Sequence, residues 1–284
     1  MRRISFFFLS LVLFAASHIA YGQDYPFRTG EKCTYTLQYK WGIITADIAN
    51  LEFNVQDGAW QGTPCFHLVT RGSTTKLVSN LVKVDYLYDS YFSTDGLMPQ
   101  HFYREQTEGS YWAKNTYSWS NNGRRLNARV EKSTRGLRDT VMTDKKVIYD
   151  PISMLYVMRS SDLDNLVNNG GKLRFVTAMD RNLYDMELTY VKSEEKKSPE
   201  VGTFMTDKFC MRLVCRPGGS NLAKEETLAV AGSDDGKLAP VYFWTSTGKD
   251  RTILFFSAPV AIGSVNGRIT DFSGGKYPLT PQKK

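Results

Sequence analysis

The sequence is poor in the groups that carry out chemistry. Of its three histidines, only His67 and His101 lie beyond the first 22 residues. Neither has a partner at metal-ligand spacing, so no metal site is expected. No Gly-x-Ser-x-Gly, Ser-x-x-Lys or His-Glu-x-x-His motif occurs, and no catalytic residue is assigned. Asp234-Asp235-Gly236 is a fragment of a calcium loop without the remaining ligands, and reads as a hairpin turn. No block of five or more like charges exists, and interspersed signs argue against a nucleic-acid partner. Internal repeats and low-complexity linkers are absent. What remains is an ordinary globular composition, 42% hydrophobic and 23% charged over 284 residues. The expectation is a protein that is not an enzyme and uses no cofactor.

The chain opens like an export signal. Arg2 and Arg3 precede an apolar run from Ile4 to Ala16, and Ala20-Tyr21-Gly22 spaces small residues as a signal peptidase requires. The run is shorter than the roughly 20 residues that span a bilayer, and no later run approaches that length. A signal peptide at 1–22 is therefore expected, cleaved to leave Gln23 first. Cys33 lies too far from the cut to carry a lipid anchor. This predicts a periplasmic protein of a Gram-negative envelope, without a transmembrane segment. Loss of Arg2 and Arg3 takes the net charge from +7 to +5. That suits an anionic headgroup or acidic glycan, and plain solubility equally.

Period-two patterning dominates the rest. From Val82 to Phe92 the even positions carry Val82, Val84, Tyr86, Tyr88 and Phe92, against Lys83, Asp85 and Asp89. Segments 124–132, 173–178, 183–191 and 209–215 alternate in the same way. Asp57-Gly58, Asp95-Gly96, Asn122-Gly123, Asp235-Gly236, Thr247-Gly248 and Asn266-Gly267 read as hairpin turns. These signals predict a dozen or more antiparallel strands in a single all-β domain over 23–272. The charged stretch Ser193–Pro199 reads as an exposed loop, and 273–284 as a frayed tail. One segment breaks the pattern. Asp150 is a good N-cap and Pro151 suits the first helical position. Ile152, Leu155, Tyr156 and Arg159 follow at helical spacing, with Met154, Val157 and Met158 filling the other faces. The expectation is one short buried helix over 151–159 that plugs a curved sheet.

Export makes disulfides available to Cys33, Cys65, Cys210 and Cys215. Cys210 and Cys215 lie in one strand, about 16 Å apart when extended, too far to bridge. The other two connectivities stay open, as do free thiols. Tyr111, Trp112, Tyr117 and Trp119 share a strand, and Trp112 points away from the other three, with Lys114. Cross-strand packing explains most such aromatics. Trp112 and Tyr103 are nevertheless chosen as candidate ligand contacts, with Arg104 and Lys114 as polar partners at the mouth of the concave sheet.

Several segments together resemble a known family. They are Gly30-Glu31-x-x-x-Tyr35, Trp41-Gly42-Ile43-Ile44, Asp150-x-x-Ser153-x-Leu155-Tyr156-x-x-Arg159, Ser233-Asp234-Asp235 with Pro240-Val241, and Ile262-Gly263-Ser264-Val265. Their order resembles the exported bacterial envelope proteins grouped as Domain of Unknown Function 3108, over Phe27 to Ile269. Some members look like the YmcC-type lipoproteins of capsule operons. Thr45-Ala46-Asp47 stands where the family usually has a glycine. The resemblance implies a large antiparallel sheet curled into an open barrel or paired half-barrels, and brings no catalytic residue. The expected function is a non-catalytic binding protein holding an envelope lipid or glycan on a concave sheet. The alternative is a structural or assembly partner in envelope or surface-polysaccharide biogenesis, working through contacts with envelope proteins.

Overall fold

The structure is a computed structural model that describes residues 24–80, 83–216, 238–260 and 262–283. The expected signal segment, Val82 and the Asp234-Asp235-Gly236 turn lie outside these residues. The first half of the chain is an antiparallel meander of eight strands: β1 (Lys32–Trp41), β2 (Ile44–Trp60), β3 (Thr63–Thr74), β4 (Val84–Ser93), β5 (Pro99–Glu108), β6 (Tyr111–Ser120), β7 (Arg125–Lys132) and β8 (Gly136–Thr143). A single helical turn, α1 (Lys76–Ser79), links β3 to β4. Then come β9 (Ile148–Tyr149), α2 (Pro151–Arg159) and α3 (Leu163–Asn169). A second meander follows: β10 (Leu173–Met179), β11 (Asn182–Ser198), β12 (Gly202–Cys215), β13 (Val241–Ser246), β14 (Ile253–Pro259) and β15 (Ser264–Ser273).

All fifteen strands form one sheet, ordered β8-β7-β6-β5-β4-β3-β2-β1-β15-β14-β13-β12-β11-β10-β9. β1 pairs antiparallel with both β2 and β15 and so joins the two meanders. The sheet curls into a nearly closed barrel. Among the described strands only β9 and β10 run parallel, because α2 and α3 form the crossover between them. The period-two signal has its cause in this curl: each strand buries one face inside. In β4, Ser90 and Phe92 are buried, and Tyr88 packs against the core cluster, while Asp85 is exposed.

Asp150 caps α2, its carboxylate accepting from the Ile152 and Ser153 N–H groups at 2.9 Å each. Apolar residues surround the helix axis, so α2 sits inside the barrel: Tyr156 and Met158 are buried on different sides of it. The expected helix over 151–159 is α2, and a second helix, α3, follows it. Asp162 opens α3 by accepting from Asn165 N–H at 2.9 Å, and Gly170 ends it at φ +72°.

Four further expectations are corrected. Asp57-Gly58 is not a turn but lies within β2. Glycine is needed there because a Cβ would stand 2.8 Å from His67 Cβ, across the strand pair. Asn266-Gly267 lies within β15, where a Cβ would overlap the Phe256 ring. Ser193–Ser198 is not a loop but the end of β11, paired with β12 from Ser193↔Asp207 to Ser198↔Gly202. Two of its charges meet Trp244: Lys196 Nζ sits 4.0 Å from the ring centroid, and Glu194 accepts from Trp244 Nε1 at 2.7 Å. The tail after Ser273 is tied down. Thr203 N–H donates to Lys283 O at 2.8 Å, Gln282 N–H donates to Thr203 O at 2.7 Å, and Leu279 packs on the core. All four cysteines are free thiols.

Candidate functional site

The barrel interior is filled unevenly. On the β2–β7 side, Phe27, Phe66, Phe92 and Tyr156 form a ring network with centroids 4.7–6.4 Å apart, and Phe102 and Tyr117 form a second pair at 5.3 Å. On the other side of α2 a cavity of about 220 Å³ remains. Leu51 and Phe53 of β2 form one wall, with Cys33 and Tyr35 of β1 beside them. Met211, Val241, Phe243, Ile253 and Phe256 supply the opposite wall, and Leu155, Tyr156 and Arg159 of α2 the third. The walls are almost wholly apolar.

The polar atoms on this lining are nearly all engaged. Tyr35 OH donates to Ile253 O at 2.7 Å. Arg159 forms a fork on Glu31, Nη1 to Oε1 at 2.6 Å and Nη2 to Oε2 at 3.2 Å. Its Nη2 also reaches Asp250 O at 3.0 Å, and Tyr156 OH reaches Glu31 at 3.4 Å. Both members of the ion pair are buried, at 4% and 1% exposure. Burial works to lower the Arg159 pKa, but the charge and hydrogen bonds of Glu31 hold it above the ordinary value. Arg159 Nε has no partner although it is buried. Burial, with Glu31 nearby, pushes the Cys33 thiol up to about 12, which leaves it unreactive. Burial also lifts the Tyr35 and Tyr156 phenols well above their ordinary value. Arg159 further borders a polar cleft of about 270 Å³ containing Asp162, Lys249 and Arg251. It therefore separates an apolar space from a polar one.

Tyr103, Arg104, Trp112 and Lys114 do not form one mouth, and none of them lines the cavity. Successive side chains on a strand point to opposite faces. Ala113, Asn115 and Tyr117 are buried inside, so Trp112 and Lys114 face outward. Tyr103, opposite Thr116, shares that outer face and donates to Glu105 at 2.8 Å; Lys114 pairs with Glu105 at 3.1 Å. Arg104 faces inward, into a second buried cluster. Its Nη2 lies 2.6 Å from Asp180, which also accepts from Lys132 Nζ and Asn115 Nδ2 at 2.9 Å each. Tyr117 OH donates to the Asp180 carbonyl at 2.6 Å. Asp180 sits in the β10–β11 turn at φ +52°, a conformation Asp tolerates. Burial would raise its pKa, but Arg104 and Lys132 bring it below the ordinary value. This cluster fastens the second meander to the first across the seam. Asp150 and Pro151 stand at the start of α2 as described.

The two histidines lie on the outer face. The His67 ring stacks on Tyr91 at 4.1 Å and pairs with Asp89, and His101 stacks on Trp60 at 3.9 Å. Among the described residues no group of three or more His, Cys, Asp or Glu is placed to hold a metal ion.

The cavity residues were present in the sequence under another heading. Glu31 and Tyr35, then Leu155, Tyr156 and Arg159, then Val241, come from three segments that lie far apart in the chain yet meet here. Those segments carry a family pattern. The family described as "Protein of unknown function (DUF3108)" matches residues 34–270. The chain belongs to this family. No curated protein matches it. Among solved structures, the DUF3108 chain is similar to a beta-barrel-like protein of Domain of Unknown Function DUF1849 from Brucella abortus. The likeness covers 87% of this chain and 98% of that one, at 9% identity and a TM-score of 0.53. Identity that low speaks for a shared fold alone. No helix among the described residues is long and apolar enough to cross a membrane.

Proposed function

We propose that this DUF3108 protein is a non-catalytic, periplasmic binding protein that takes the apolar part of an envelope lipid into the cavity beside α2. The observation that carries the reading is the lining: apolar walls with one buried, unpartnered donor, Arg159 Nε. Such a space rejects a glycan, whose hydroxyls would lose their hydrogen bonds with water. It accepts an acyl chain or a compact hydrocarbon; a smaller cavity of about 150 Å³ already holds benzene. A bound apolar chain removes these walls from water.

The test is native mass spectrometry of protein from its own host, followed by displacement of a fluorescent fatty-acid probe. A co-purifying apolar molecule and probe binding are expected. Val241→Phe, which fills the space, is expected to abolish probe binding while the protein stays folded. Wild-type protein that carries no ligand and binds no probe would overturn the reading. A second reading, an assembly partner in the envelope, is favoured by β8. It ends the sheet and exposes Leu137 and Val141 beside an open edge. Crosslinking in the host that captures a partner through β8 would favour it.

A further inference from the structure

At one end of the barrel the apolar surface is on the outside. The β1–β2 turn carries Trp41, Ile43 and Ile44; Ile43 is fully exposed and Trp41 is 55% exposed. The β14–β15 turn carries Ile262, 61% exposed. The two turns are neighbours because β1 pairs with both β2 and β15: Lys40 lies opposite Thr45 on one side and Ser264 on the other. Tyr39 OH donates to Ile262 O at 2.8 Å, and Gly263 packs so closely on β1 that a Cβ there would stand 3.3 Å from Trp41 Cβ. The four side chains thus form one patch at the tip. Water-facing turns ordinarily carry polar residues. Here Trp41 to Ala46 and Ser257 to Gly267 contain no charged residue at all, in a chain that is 23% charged. Scattered exposed apolar residues need no explanation, but clustered ones at a protruding tip do.

The charges begin just behind the tip. Lys40, Lys76 at the start of α1, and Lys83 are exposed. α1 is held against this end by Thr75 N–H donating to Ile48 O at 2.9 Å. The carboxylates on this side are Asp47 and Glu200, both engaged by Arg268, with Asp85 and Glu108 farther along beside Lys83. An uncharged tip with Trp and Ile, flanked by the exposed Lys40 and Lys76, fits a bilayer surface with anionic headgroups. The apolar side chains reach the acyl boundary, the indole sits at headgroup level, and the lysines meet phosphates.

We infer that the Trp41–Ile44 and Ile262 tip is a docking surface for an anionic lipid bilayer. The inference goes beyond ligand binding: it holds whether or not the cavity takes a lipid. The test is co-sedimentation of the protein with vesicles of phosphatidylcholine alone or of phosphatidylcholine mixed with phosphatidylglycerol. Binding to the mixed vesicles, weaker binding to the neutral ones and release by salt are expected. Ile43→Asp and Ile262→Asp are each expected to lower vesicle binding about tenfold or more, with unchanged melting since both sites are exposed. Absence of vesicle binding, or variants that bind as wild type does, would overturn the inference. So would a dimer in sedimentation equilibrium that Ile43→Asp dissociates, since the tip would then be a contact between copies.

Discussion

The two sides of the barrel share one sheet and one plugging helix, yet they treat the interior differently. On the β2–β7 side, Tyr156 reaches from α2 into a ring network centred on Phe27, at 4.7 Å. On the β12–β15 side, Leu155 and Phe256 line an open space together with Tyr156, and the Phe256 ring occupies the position that a side chain at Gly267 would take. A curved sheet sets how much volume must be accounted for; individual residues decide whether protein or ligand occupies it.

The largest break in this comparison comes from the ion pair at the cavity wall. Glu31→Ala strands the buried Arg159 charge and is expected to cost about 3–5 kcal/mol, read from urea unfolding. Replacing both partners with apolar residues of similar volume is expected to recover most of that loss, which would separate the cost of an orphaned charge from the value of the pair. A smaller effect distinguishes the two sides directly. Leu68→Phe on the filled side is expected to cost about 1–3 kcal/mol through overpacking. Val241→Phe on the cavity side is expected to cost less than about 1 kcal/mol, or to stabilise. Equal costs would mean that the two interiors are equally full.

Much of this was legible from the residues. Alternation at Val84, Tyr86, Tyr88 and Phe92 gave a strand with the correct inner face, and Asp150-Pro151 gave the start of α2. The glycines misled. Gly58 and Gly267 follow Asp and Asn as turn glycines do, but their role is close approach to a side chain on a neighbouring strand, which sequence alone does not place. The candidate ligand residues do not share one face, for a reason that the sequence does contain. Tyr103 and Arg104 are adjacent on a strand and cannot line one face. Which face is inside, and which turn meets it, depends on pairing across the seam; Arg104 and Asp180 are 76 residues apart in sequence.

The smallest predicted effect concerns pH. Burial raises the pKa of Asp150, whereas the Arg104 and Lys132 charges lower that of Asp180 despite its burial. The Asp180 contribution to stability is complete above the ordinary value of 3.8 and is lost as pH falls through its lowered native value. Asp150 acts in the opposite sense: its contribution is complete below 3.8 and is lost as pH rises through its raised native value. Asp180→Asn is therefore expected to flatten the acid limb of a stability–pH curve, and Asp150→Asn to steepen the fall toward acid. Melting scans below pH 5 would show the same slope for both variants if the two carboxylates were alike.

The pairing of β1 with β15 has a consequence for how the chain is made. Lys32 finds its partner at Ser273, so the first strand of the barrel waits for the last before its second edge is covered. The eight-strand meander can form from local hairpins as it emerges, but closure requires contacts across most of the sequence, and such contacts are slow to form. Until then β1 presents a bare edge, and the walls of the future cavity face water. Completion of the barrel thus depends on β15. A chain truncated before β15 keeps both liabilities, an open strand edge and an uncovered apolar interior, and is a substrate for aggregation or for chaperones.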